Sequence, residues 1–352
     1  MKFFYMPNER DETDLRYRQV GVRNAFERLV VQGKIQRLAV SSFYSRTTQL
    51  GSYPAYRQEL VAAVTEMQPD ILFVQHIAGS MFDDDIWRDL LAASPRSTLV
   101  YHDEDPYDRW VKRIDRPMRA LLRHVHVAFI SGFGFLAEAY SRLGAERVCY
   151  LPHYFDSERF GLLEGHEEPE FDLVAIASCG RRKRLPLLFV PGGRRRYRLF
   201  EKLSAIYGRR FALFGAGWDG LAAARGVLPF IEQERAIRKA RISVNWDHFD
   251  EIPFYCSDRL PISLAVGVPH VTSYHSGYEQ MFAGCRGLYW GKTPQEIVDC
   301  VAWLLSRSDD DLRAEGEAAR EWVRDNLEAN SVFQRAFEIS AKVHCDRRGA
   351  SA

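Results

Sequence analysis

The sequence predicts an α/β protein built from two doubly wound, mostly parallel sheets, and three observations carry that prediction. Short apolar strands alternate with helix-spaced segments from residue 2 to 151. A proline-bearing, acidic, weakly periodic segment, PHYFDSERFGLLEGHEEPE at 152–170, then interrupts the alternation, and a second alternating series begins at 171. Alternating β and α segments with short connections mean a parallel sheet, and 352 residues suffice for two cores.

In chain order, KFFYM at 2–6 is a first strand with Pro7-Asn8-Glu9-Arg10 as its polar exit, and Val20, Ala25, Phe26, Leu29 and Val30 recur at helical spacing within 17–31. Strands follow at 35–41, 70–76, 97–102, 125–131 and 147–151, with helical segments at 55–67, 83–93, 115–123 and 133–143. The second series has strands at 171–178, 210–214, 241–246, 268–272 and 287–290. Its helices lie at 195–207 and 230–240, after Asp258, after Ser276-Gly277, at 294–306 and across 309–344. The domains are placed at 1–155 and 171–329, with 156–170 as linker and a terminal helix over 330–352. No internal repeat is visible.

Hydrophobic content of 46%, charged content of 27% and a net charge of +1 describe a folded globular chain without a global bias toward nucleic acid or an anionic membrane. No apolar run approaches the roughly 18 residues that cross a bilayer, and MKFFYMPNERDE turns polar too soon for a signal peptide, so a cytoplasmic location is expected. The six cysteines are scattered without a CxxC, there is no HExxH, and no metal site is predicted.

Ligands of open α/β sheets gather at the carboxyl edge of the strands, and four stretches there carry chemistry. Tyr101-His102-Asp103-Glu104-Asp105-Pro106 puts a histidine among crowded carboxylates, a source of a general base or else a solvated acidic loop. Ser178-Cys179-Gly180-Arg181-Arg182-Lys183-Arg184 offers close backbone approach and cations for a diphosphate. With Arg194, Arg195, Arg196 and Arg198 it makes eight cations and no acid over 181–198, either a solvated face or a contact for DNA. Gly215-Ala216-Gly217-Trp218-Asp219-Gly220 matches GxGxxG formally, but no acidic strand end follows about 20 residues on, so a dinucleotide cofactor is not expected and the choice is between a nucleotide contact and a plain turn. The fourth, 241–283, reads as strand, loop, helix, strand and helix, one wall of an anion site or an ordinary αβ connection.

These blocks together resemble the two-domain GT-B glycosyltransferases, and within them the bacterial and phage group similar to the spore-maturation protein CgeB and its group 1 relatives. The matching pieces are His102–Pro106, LPHYFD at 151–156, GRRKR at 180–184, FGAGW at 214–218, RKARISVNW at 238–246, and above all Arg259 with Ala265 and Gly267, followed by Ser276-Gly277-Tyr278-Glu279. The resemblance implies GT-B architecture, with the nucleotide-sugar donor on the second domain, the acceptor on the first, and a last helix returning to the first. It implies no cofactor, a UDP sugar as substrate, and metal-independent transfer to a saccharide, protein or lipid-linked glycan. Arg259, Arg181 and Arg184, aided by Ser276 and Gly277 and by Gly180, Gly215 and Gly217, would hold the donor. Glu279 would make a polar donor contact, and His102, Asp103 or Asp105 would deprotonate the acceptor. Two departures stand out: relatives carry acids where this chain has Phe254 and Ile262. Two alternatives therefore accompany the reading, a phage-type enzyme acting on a hydroxymethylated DNA base and an inactive nucleotide-sugar-binding protein.

Overall fold

The computed structural model of the chain describes residues 1–11, 13–14, 19–163, 168–182 and 185–349, with backbone alone at 182 and 185–188. It divides into unit 1, Met1–Pro152 with Ala329–Ala352, and unit 2, His153–Glu328.

Unit 1 contains β1 (Lys2–Met6), α1 (Val20–Val31), β2 (Arg37–Val40), α2 (Phe43–Leu50), α3 (Tyr53–Met67), β3 (Ile71–Gln75), α4 (Asp84–Ala93), β4 (Thr98–Asp103), α5 (Arg116–Leu122), β5 (Val127–Ile130), α6 (Phe135–Leu143) and β6 (Val148–Tyr150). The sheet runs β2-β1-β3-β4-β5-β6, parallel throughout. Helix starts follow local chemistry: Ser52, Asp83 and Asp115 cap α3, α4 and α5 by accepting the amides of Ala55, Ile86 and Met118. Helix α2 falls where no helix is expected from the sequence.

Both faces of a parallel sheet must be covered. Phe4, Met6, Leu72, Val74, Leu99 and Tyr101 pack under α3 to α6. The alternate residues Phe3, Tyr5, Phe73, His102 and Phe129 face the other way, and their rings meet Phe26 of α1 and Phe333 and Phe337 of the C-terminal helix.

Unit 2 contains β7 (Phe171–Ile176), the hairpin β8 (Arg181–Arg182) and β9 (Leu185–Phe189), α7 (Gly193–Tyr207), β10 (Phe211–Phe214), β11 (Ala224–Gly226), α8 (Gln233–Arg238), β12 (Ala240–Val244), α9 (Arg259–Val266), β13 (His270–Ser273), α10 (Tyr278–Met281), β14 (Leu288–Gly291), α11 (Pro294–Leu305) and α12 (Asp309–Leu327). Its order, β11-β10-β7-β12-β13-β14, is the Rossmann order, again parallel. Helices α7 and α11 cover one face, α8, α9 and α12 the other. Two α/β units with parallel sheets is the architecture expected from the sequence.

The helical stretch expected over 309–344 is two helices. Glu328 is extended, pairs with Phe155 and accepts the Ser157 hydroxyl at 2.7 Å. Helix α13 (Ala329–Gly349) then packs on α1 and over β3, β4 and β5.

Phe333 is fully buried among Phe26, Phe73 and His102. Phe333→Ala should cost unit 1 about 3–5 kcal/mol, read from urea unfolding with hydrogen exchange at the β3–β5 amides. An unchanged midpoint would contradict the docking of α13.

Candidate functional site

In each unit the strand order reverses at one point, and ligands of such sheets bind in the crevice beyond the carboxyl ends there. In unit 1 that point lies between β1 and β3. Beyond β1, buried Glu9 accepts the Arg23 guanidinium, the Gln19 amide at 2.8 Å and the Ser42 hydroxyl at 2.5 Å. Beyond β3 stands His76, its backbone at φ 31°, a sparsely populated region for a side chain of this size. Its Nδ1 lies 2.9 Å from Asp103 Oδ1 and its Nε2 3.7 Å from Asp105 Oδ2.

Asp103 ends β4, fully buried. It also accepts the hydroxyls of Tyr101 at 2.7 Å and Tyr140 at 3.0 Å and the Asp105 amide at 3.0 Å. Burial disfavours its charge, but the bond and charge of His76, with the Tyr101 and Asp105 donors, outweigh that and hold the carboxyl below its usual range. For His76 burial opposes the cation too. The Asp103 bond and the charges of Asp103 and Asp105 prevail over that and over Lys112, and raise the imidazole to about 9. Lys112 in turn pairs with Asp105.

In unit 2 the order reverses between β7 and β12. Arg196 of α7 is 2% exposed, donating from Nε to Trp246 O and from Nη1 to Ser178 O, so it ties the loop after β7 to the loop after β12. Burial and the neighbouring Arg259 lower its pKa to about 9, with Asp247 opposing, so it remains a cation at neutral pH. Arg259, at the start of α9, donates to Ile176 O and Asp258 and leaves about a third of its side chain exposed. His248 is pushed down to about 3 by burial and by these two arginines, and its Nε2 has no hydrogen-bond partner among the described residues. Beside it, buried Asp247 accepts Asn245 Nδ2 at 2.6 Å and lies 3.3 Å from His275 Nε2. Burial works against its charge, yet His275, Ser257 and Arg196 keep it far below the usual range. The edge is thus a cationic rim around a neutral imidazole.

Residues 194–338 match the family described as glycosyl transferase-like. That match covers the C-terminal part of the chain, and the fold is similar to that of GT-B glycosyltransferases. The sucrose-phosphate synthase of Thermosynechococcus elongatus superposes with a TM-score of 0.58 at 10% identity, over 98% of this chain and 100% of that one. HepE of Anabaena, in complex with UDP and glucose, gives 0.56 at 11% over 97% and 99%. The T4 phage BGT in complex with UDP-glucose gives 0.57 at 10% over 96% and 99%. A comparison with curated proteins finds no match. Among the described residues no helix is long and apolar enough to cross a membrane, and no cluster of His, Cys, Asp and Glu has the form of a metal site.

The residues singled out from sequence fall into distinct places. His102 is buried on the α13 face of β4, its ring 5.3 Å from that of Phe333. Asp103 and Asp105 instead converge on His76, which no spacing in the sequence links to them. Arg181 lies over the rings of Tyr197 and Phe189 at 4.8 and 5.6 Å, and Arg184 lies outside the described residues. Gly180 has φ 73°, and a Cβ there would overlap His248 Nε2. At Gly215 a Cβ would overlap the Ala177 carbonyl, and at Gly217 it would press on Cys179, so these two glycines admit the loop after β7. Phe254 occupies the face of Gly277, its amide donates to Ser276 O at 2.7 Å, and α10 beyond them is a single turn. Glu279 is exposed and accepts the Tyr274 hydroxyl at 3.2 Å. Asp247, His248 and His76 were missed, and Arg196, expected as one cation of a solvated or DNA-contacting cluster, is instead internal. Only the HFD run after β12 hinted at them.

Because the folded imidazole titrates near 9 and the ordinary value is 6.5, the His76–Asp103 pair contributes fully below pH 6.5 and is lost as pH rises through 9. Unfolding of unit 1 at pH 6 and 9.5 should show about 3 kcal/mol of this difference in the native protein and none of it in His76→Ala. Equal pH dependence in both proteins would overturn the pairing.

Proposed function

We propose that the chain moves a sugar from a nucleotide-diphosphate sugar to an acceptor hydroxyl, with UDP as the nucleotide. Unit 2 holds the donor and unit 1 supplies the base. The observation that carries this reading is the rim in unit 2: Arg259 anchored by its own backbone contacts with part of its guanidinium free, Arg196 fixed behind it, and an unprotonated His248 in front. Such a rim is preorganised for the charge that builds on a departing diphosphate, and needs little rearrangement as the bond breaks. Arg181 adds a further cation, and the Ser276 and Gly277 amides add donors. HepE and the phage enzyme carry UDP and UDP-glucose in their structures, which supports UDP.

In unit 1 the acceptor proton goes to His76. Once the ring is neutral, with Asp103 receiving the Nδ1–H, the Nε2 lone pair takes the proton, and the buried carboxylate stabilises the imidazolium that forms. The acceptor oxygen then attacks C1 of the sugar as the bond from C1 to the diphosphate oxygen breaks, and the electron pair leaves with the diphosphate toward the arginines. Attack opposite the leaving group inverts the anomeric carbon, and leaving-group charge is met by side-chain cations without recourse to a metal. A second reading, donor binding without turnover, rests on the apolar residues at the two acid positions: Ile262 is buried in α9 and Phe254 covers Gly277.

Calorimetric titration with UDP tests the rim. Arg259→Ala should weaken binding at least about tenfold, and equal affinities would remove Arg259 from the diphosphate site. UDP release from UDP-glucose in the presence of acceptor separates turnover from mere binding. Log kcat/KM should climb with pH toward about 9, where His76 loses its proton, and His76→Ala should lower kcat by roughly 10²–10⁴. A flat profile would exclude His76 as base.

A further inference from the structure

We infer that the acceptor is phosphorylated, and that a groove in unit 1 lined by Arg109, Arg113, Arg119 and Arg142 receives its phosphate or diphosphate group. This deepens the proposed transfer reaction and rests on it. The groove lies between the loop after β4 and helices α5 and α6, with a volume of about 320 Å³. Four guanidiniums line it against one carboxylate, Asp108, whose Oδ1 is engaged by the amides of Trp110, Val111 and Lys112 at 3.2, 2.7 and 2.7 Å.

The arginines are only lightly committed. Arg109 lies 4.8 Å over the Phe135 ring and Arg119 donates Nε to Ile114 O at 3.0 Å, while Arg142 reaches Glu138 of its own helix at 3.4 Å. Among the described residues neither Arg109 nor Arg113 has a carboxylate partner. Four cations with few counter-charges repel one another, an arrangement that costs stability unless an anion fills it. Guanidiniums suit phosphate oxygens because each offers paired donors in a fixed fork.

The position bears on the reaction. The loop that carries Arg109 and Arg113 also carries Asp105 to His76, and Lys112, between the two arginines, pairs with Asp105. An acceptor held by its phosphate in the groove is therefore bound by the segment that shapes the surroundings of the base. The groove's size suits a compact anion rather than a track of phosphates. In the other basic stretch, 181–198, Arg196 is internal and Arg195 is paired with Asp250 at 2.8 Å.

Inorganic pyrophosphate is the first probe, titrated calorimetrically into the full chain carrying Arg259→Ala, which silences the donor diphosphate site. One site should remain, and Arg109→Ala with Arg113→Ala should weaken it at least about tenfold while circular dichroism and melting temperature stay unchanged. No pyrophosphate binding in the Arg259→Ala protein, or binding indifferent to the two substitutions, overturns the proposal. UDP affinity is read separately, so a failed donor assignment leaves the groove result standing. Glucose 6-phosphate and vesicles containing a polyprenyl diphosphate then distinguish a soluble from a lipid-linked acceptor, binding of either being lost in the double variant. Tighter binding of a DNA duplex than of pyrophosphate at this groove, with affinity falling steeply in salt, overturns the compact-anion assignment in favour of nucleic acid.

Discussion

A single buried cation organises the second unit. Taking a guanidinium out of water costs several kcal/mol unless its donors are met, and Arg196 meets that cost with the carbonyls of Trp246 and Ser178 and the charge of Asp247. Its contacts fix both loops that flank the point where the strand order reverses, and its charge adds to burial at His248 and to His275 and Ser257 at Asp247 in setting their protonation. His248 is held neutral and Asp247 ionised. Arg259 joins this frame through Ile176 O, on the strand that precedes Ser178. The rim's positive potential is thus set by the fold before any ligand arrives.

The first unit repeats the arrangement with the opposite sign. Beyond its strands stand Glu9, Asp103, Glu104 and Asp105, with His76 against Asp103 and Asp105, Gln75 on Glu104 and Arg23 on Glu9. Buried Asp103 is satisfied by two hydroxyls, an amide and His76, and Asp105 stands beside it, paired with Lys112. They raise the proton affinity of the one neighbour that remains partly exposed. Two parallel sheets of similar plan therefore present a cation-rich edge in one unit and an edge that draws protons in the other.

The fold was legible because both sheets are parallel: strands buried on two faces read as apolar runs, and helices α3, α4, α5, α11 and α12 announce themselves with Ser, Asp or Thr caps. The break at Glu328 carries no glycine or proline. Pairing with Phe155, 173 residues earlier in the chain, sets it. The site was legible as a set of loops and obscure as a set of side chains. Along β4, alternation sends Tyr101 and Asp103 to one face and His102 to the other, so a histidine next to catalytic-looking acids in sequence is buried against α13. The histidine that does meet those acids comes from the adjacent strand.

Arg196 shows why a charge run resists reading. Within 194–198 the residues differ little in type, yet one turn of α7 makes Arg196 the internal tie while Arg195 reaches out to Asp250. The GxGxxG-like spacing at 215–220 is ambiguous for a related reason. A missing Cβ makes room equally for a phosphate or for a neighbouring backbone, and here the room at Gly215 and Gly217 is taken by Ala177 and Cys179. Those glycines let the loop after β7 lie close under β10, and that loop carries Ser178, whose carbonyl Arg196 needs. The glycine spacing serves the anion rim at one remove, by allowing the loop that the buried cation holds.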